Sequence, residues 1–308
     1  GSTFGCIGGR SLGISTGVAD PAQWERIFGI DVEHIDQLEI VLRAQQVDPR
    51  RVELFSDWVR SSYGAVNYKD GRFDEARLEK QIRSYLAVLS IIDLFELDFV
   101  GIKCQPELSN GYALQCLAVQ MLNDPYDAEG PKEPFVCSCE ADHDGALTMQ
   151  ILKLASGKKP TALLDIFHVS DKKLVAGNCG AMASYFSELS DDPRVNLAEV
   201  HLQPHGFGEA GGAATQFVCS EGEFTFARLY RKAGEYEMAL LKGRTVKEPR
   251  EALNRYSWYR PTAFVDIDID SKAFQTEYGS NHIHCVQGDY TAELSELCAL
   301  LNLPCRRY

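Results

Sequence analysis

Between Glu75 and Phe95 apolar residues recur three or four positions apart, at Leu78, Ile82, Leu86, Leu89 and Ile92, which draws one buried stripe along a helix. The run that follows, LDFVGIKC from Leu97 to Cys104, is short and continuous, the pattern of a strand covered on both faces. Tyr112 to Leu122 then reads as helix, and PFVCSC, Pro134 to Cys139, as a second buried strand. Asp144 can cap a helix through Leu154 that Gly157 closes, and TALLDIFHV, Thr161 to Val169, supplies a third strand. Strands alternating with helices of this length predict parallel strands joined by right-handed crossovers. Ligands of such sheets sit beyond the carboxyl ends of the strands.

After about Asp171 the pattern changes. Glycine-rich and alternating stretches such as GFGEAGGAATQFVCSEGEFTFARLY and FVDIDID suit antiparallel strands. The expected fold class is therefore α/β, with a parallel Rossmann-like layer over 1–155 followed by a mainly antiparallel β domain over 156–308. NHIHCVQGD alternates like a strand, and Asp289 or Thr291 can cap a closing helix from about Ala292 to Leu301. GCIGGRSLG lacks both the lysine of a P-loop and the G-x-G-x-x-G spacing of a dinucleotide site, so a tight turn is expected there. GEAGGAA, Gly208 to Ala214, reads as a loop between closely approaching backbones.

Composition narrows the classes of function. The 308 residues hold 44 acidic against 31 basic side chains, a net charge of -13, which disfavours nucleic acid and anionic membrane as partners. No stretch nears the roughly 20 apolar residues of a bilayer span. Ten cysteines without a secretory pattern point to reduced thiols and a cytoplasmic protein. Cys137 and Cys139 form a C-x-C pair with no second pair at metal-ligand spacing, so zinc is not expected there.

The candidate chemistry gathers at the predicted strand ends, at Gln105, Glu140 and Asp165. Two carboxylates together with one imidazole from the pair His282 and His284 suit a hard or borderline divalent cation, Mn²⁺ or Mg²⁺, with positions left for substrate oxygens. The competing reading is that these acids only cap or face solvent. Glu140 and His143 have the E-x-x-H spacing of a di-iron bundle, but Glu140 ends a strand, so His143 is expected as an exposed first-turn residue and Asp142 and Asp144 as cap residues. Trp24, Trp58 and Trp258 are expected to pack, with Trp258, beside Tyr259, the one candidate for a sugar face.

Four blocks, in order, carry a resemblance: GGRSLGISTGVADPAQWERIFGIDVEHIDQLEI, QIRSYLAVLSIIDLFELDFVGIKCQPELS, CEADHDGALTMQIL and SNHIHCVQGD. They resemble segments of the L-fucose isomerase family, specifically its second and C-terminal domains, and the likeness spans nearly the whole chain. It implies a metal-dependent aldose-ketose isomerase that interconverts L-fucose and L-fuculose, or D-arabinose and D-ribulose, through a cis-enediol. By that resemblance Glu140, Asp165 and His282 bind the metal, with His284 the fallback ligand. Glu140 and Asp165 also move the protons, and Gln105 and Asn281 hold substrate hydroxyls. The implied cofactor is Mn²⁺, with Mg²⁺ or Co²⁺ as alternatives, and the implied partners are a small sugar and a homo-oligomer or a chain that supplies the family's N-terminal domain. A non-catalytic sugar- or metal-binding subunit is the alternative. One departure is Asn178 in GNCGAM, where the family pattern often carries a histidine.

Overall fold

The computed structural model describes residues 1–14 and 17–308. Ser15 and Thr16, inside the first resembling block, lie outside the described residues. The first layer is a parallel sheet of four strands, β1 (Ser2–Ile7), β2 (Ile30–Ile35), β3 (Phe99–Ile102) and β4 (Cys137–Cys139), in the order β2, β1, β3, β4. The periodicity of Leu78 to Ile92 resolves as a helix, Glu75–Leu94, capped by Asp74 and packed on this sheet's core. The two leading strands are additions to the expected pattern. Gly8 and Gly9, with φ of 93° and 75°, are the expected tight turn, but Cys6 and Ile7 just before them end the central strand.

The second layer corrects the expected third parallel strand. β5 (Thr161–Val169) leaves the parallel sheet and runs antiparallel to both its neighbours, β6 (Lys173–Gly177) and the later His282–Gln287 strand. With β7 (Gly222–Lys232), β8 (Glu235–Val246), β9 (Thr262–Asp266) and β10 (His282–Gln287) it closes a six-stranded antiparallel barrel, in the order β7, β10, β5, β6, β9, β8 and back to β7. A continuous apolar run cannot say which kind of sheet buries it, because a parallel layer and a barrel interior both cover two faces. β11 (Cys305–Arg307) adds in parallel outside β8, and the closing helix is Thr291–Leu300.

Two connections lock the layers together. The helix His143–Ala155 lies between them with most of its surface buried, and Thr148 Oγ1 accepts the Leu229 amide from β7 at 2.9 Å. Of the two expected cap residues it is Asp142 that caps the helix, with Asp142 Oδ1 accepting the Gly145 amide at 2.9 Å. The second connection is a small mixed sheet that joins Ala65–Val66 to His201–Pro204 and Ala213–Gln216. GEAGGAA is the expected close approach: a Cβ on Gly211, at φ 70°, would sit 2.2 Å from the Arg72 carbonyl oxygen. Among the described residues no helix is long and apolar enough to cross a membrane.

Candidate functional site

The site begins where β4 stops. Glu140 and Ala141 both take positive φ, 58° and 51°, before Asp142 starts the next helix. Two non-glycine residues in the left-handed region cost of order 1–3 kcal/mol each, and the surrounding packing holds them in this turn. Asp165 projects from β5 and His282 begins β10, and the barrel's register sets these two directly opposite one another. His282 Nε2 lies 3.3 Å from Asp165 Oδ1 and 3.9 Å from Glu140 Oε2. Three residues far apart in sequence meet at one nitrogen.

The other nitrogen of His282 is fixed from behind. Nδ1 stands 2.7 Å from Asp142 Oδ2, and the fully buried Arg228 of β7 grips the same carboxylate at 2.5 and 3.1 Å. Burial works against the charge of Asp142, yet Arg228 and His282 outweigh it and hold the carboxyl well below its usual range. Burial likewise works against an imidazolium at His282, but Asp142 and Asp165 raise it to about 10. Glu140 is pushed up to about 7, first by burial and then by the charge of Cys179. The expectation for Asp142 named only its capping role; the E-x-D spacing in CEADHDG was the available signal for its reach to His282.

The remaining sequence candidates fall in different places. His284 is wholly buried with both ring nitrogens lacking a hydrogen-bond partner, and a Cβ on Gly145 would meet its Nε2 at 2.6 Å. It packs under the helix turn. Gln105 is half-buried beyond β3, and its carbonyl accepts the Ser11 hydroxyl at 3.2 Å. Asn281 is exposed beside His282, with its carbonyl accepting the Ile166 amide at 3.0 Å. His143 is a correction: it is 3% exposed, accepts the Ala19 amide at Nδ1 and meets Cys6 Sγ at 3.1 Å, because the helix it starts lies between two sheets. Burial lowers it to about 4. Asn178 turns its side chain inward to accept the Gly180 and Ala181 amides, which shapes the loop after β6. Trp24 packs against Phe4 and Phe99 as expected, while Trp258 is 45% exposed.

Arg260 was not singled out by the sequence pattern. Its guanidinium lies 5.4 to 5.7 Å from the ring centres of Tyr259, Phe207 and Phe167, and Nε donates to the Tyr259 hydroxyl at 3.3 Å. Burial disfavours its charge, but Tyr259, then Cys179 and Asp165, more than restore it. The guanidinium is therefore within electrostatic reach of Asp165.

Comparisons with known proteins point to sugar isomerases. Residues 176–307 match the family model described as "L-fucose isomerase, C-terminal domain". A sulfoquinovose isomerase of Alkalicoccus urumqiensis is 24% identical across 98% of this chain and 63% of its own length. A sulfoquinovose isomerase of Priestia aryabhattai is 28% identical over 69% of this chain and 44% of its own length. An L-fucose isomerase of Citrobacter koseri is 21% identical over 99% of this chain and 64% of its own length. The chain thus spans less than two thirds of the curated relatives it matches. The later barrel strands, β7 to β10, lie inside the matched C-terminal domain, and sugar isomerases align along nearly all of the chain, so by likeness the chain is similar to the sugar isomerases of the L-fucose isomerase family.

Proposed function

We propose that this chain carries the metal-bearing centre of an aldose-ketose isomerase. The observation that supports it best is the convergence of Glu140 and Asp165 on His282 Nε2 while Asp142 fixes Nδ1. A carboxylate behind a histidine is the usual way to orient an imidazole toward a metal. Charge supports the same reading: three carboxylates, Glu140, Asp142 and Asp165, stand against the guanidinium of Arg228 and the proton that His282 holds, and a divalent cation that displaces that proton would balance the remaining negative charge.

Glu140, Asp165 and His282 would hold that ion, and the oxygen-rich donor set suits Mn²⁺, with Mg²⁺ or Co²⁺ as alternatives. When bound, it would stabilise the negative charge that develops as the substrate passes through a cis-enediol. The two carboxylates then divide the proton work, one removing the proton at C2 and one returning it at C1. Gln105 and Asn281 would orient hydroxyls at the mouth. Asp165 keeps a side-chain exposure of 32%, so exclusion of water calls for a further domain or a neighbouring subunit over this face.

For substrates, L-fucose with L-fuculose, or D-arabinose with D-ribulose, is the first proposal. A second is favoured by Arg260, whose aromatic-lined guanidinium suits a sugar bearing an anionic group, as the sulfonate of sulfoquinovose is. The test is isomerisation of a panel of aldoses by the complete assembly with Mn²⁺, followed by product analysis. Conversion of any of the three supports the isomerase reading; binding of sugar and metal with no conversion replaces it with a binding subunit.

A further inference from the structure

The described residues also bring together donors of a different chemistry. Cys116 begins the helix Cys116–Asn123, Cys179 lies in the loop after β6, and His205 follows the short strand His201–Pro204. One ligand atom from each of the three lies within 4.8 Å of the others. The Cys116 and Cys179 sulfurs are 3.8 Å apart. That is about the edge of a tetrahedron whose metal-sulfur arms are roughly 2.3 Å long. Cys139, the last residue of β4, adds a third thiol with Sγ 3.1 Å from Cys179 Sγ.

His205 supplies an independent observation. The residue is 1% exposed, its Nδ1 accepts the Phe207 amide at 2.9 Å, and its Nε2 is buried with no hydrogen-bond partner. Leaving a buried polar nitrogen without a partner costs about 1–3 kcal/mol. Apolar packing accounts for a buried cysteine such as Cys137, Cys219 or Cys285, but it leaves that imidazole nitrogen unexplained.

We propose that Cys116, Cys179 and His205 form a three-donor binding site for a soft or borderline ion of the zinc class, with a donor set distinct from that of the carboxylate centre. Thiolate and imidazole select such ions over Mn²⁺ or Mg²⁺, and three protein donors leave a fourth position for water. Ligation at Nε2 would place the ring proton on Nδ1, so the Phe207 amide that donates there would have to turn to another acceptor. The ion would tie the helix Cys116–Asn123 to the barrel loop after β6 and to the turn after His201–Pro204.

The experiment is a Co²⁺ titration of the reduced, metal-stripped full chain, read by thiolate-to-cobalt charge-transfer absorption and by metal content. Expected is about one equivalent of cobalt with sulfur charge-transfer and intense tetrahedral ligand-field bands, displaced by Zn²⁺. Cys179→Ser and Cys116→Ser should abolish the sulfur bands, and His205→Gln should weaken cobalt binding at least about tenfold while the protein keeps its circular dichroism. The double variant Glu140→Gln with Asp165→Asn should keep the bands, which separates this site from the carboxylate centre. Absence of sulfur bands in folded, fully reduced wild-type protein overturns the proposal, as does their persistence in both cysteine variants.

Discussion

Asp142 and His282 are joined through Nδ1 at 2.7 Å, and through this one contact the helix cap of the α/β layer sets the ring orientation of the first residue of a barrel strand. Asp142→Asn keeps the shape and the capping oxygen but removes the charge facing both His282 and Arg228. Metal affinity at the proposed site should fall by about 10–100-fold, as it does when the carboxylate behind a ligand histidine is lost. Stability should fall as well, by about 3–5 kcal/mol, because a buried ion pair is broken from one side. Isothermal titration with Mn²⁺ and urea unfolding measure the two effects separately; an unchanged Mn²⁺ affinity in the folded variant would remove Asp142 from the site.

Glu140→Gln retains size and loses both a charged donor and a proton carrier. Turnover in the complete assembly should drop by roughly 10² to 10⁴. Asp165→Asn should behave alike, and the double variant should lose little more than either alone, since both residues serve one centre. His282→Ala should act mainly on metal affinity, with excess Mn²⁺ restoring part of the rate. Single-turnover rates at saturating metal decide the matter: full activity in Glu140→Gln with metal bound would mean that another group moves the proton.

Arg260→Gln should discriminate between neutral and anionic substrates. If the guanidinium meets a sulfonate, kcat/KM for sulfoquinovose should fall by about tenfold to a hundredfold, the value of a charge-assisted hydrogen bond, while that for L-fucose changes little. Equal losses on both sugars would assign Arg260 to packing among Tyr259, Phe207 and Phe167 instead.

Asp124 supplies a pH signature of folding away from the carboxylate centre. Burial raises its carboxyl to about 6 against the opposing contacts of Ser184, Tyr185 and Lys132. The unfolded carboxyl titrates near 3.9. Below that value both states are protonated. From about pH 4 to about pH 6 the unfolded chain ionises first, so stability falls as pH rises, by up to roughly 3 kcal/mol, and the loss is complete above the folded value. Asp124→Asn should flatten that part of the profile, read as the urea midpoint at about pH 4.5 and about pH 7. An unchanged slope in the variant would assign the dependence to another group.

The strengths of the sequence were local. A three-to-four spacing located the helix Glu75–Leu94, an unbroken apolar run delimited Thr161–Val169, and the resembling blocks that hold Glu140 and His282, with Asp165 between them, pointed to a carboxylate and imidazole centre. The first two are written in neighbouring residues, because periodicity reports which side of an element meets the interior. Periodicity does not report what that side meets. Only barrel closure moved β5 out of the parallel sheet and set Asp165 opposite His282, and only the helix wedged between two layers buried His143 and pointed Asp142 at Arg228 and His282. The thiols of Cys116, Cys139 and Cys179 were legible as cysteines but not as neighbours, since their approach depends on how the β4 turn, the Cys116–Asn123 helix and the loop after β6 pack together. Contacts between residues distant in the chain are fixed by the pairing of whole strands and layers, and that pairing is a property of the closed fold.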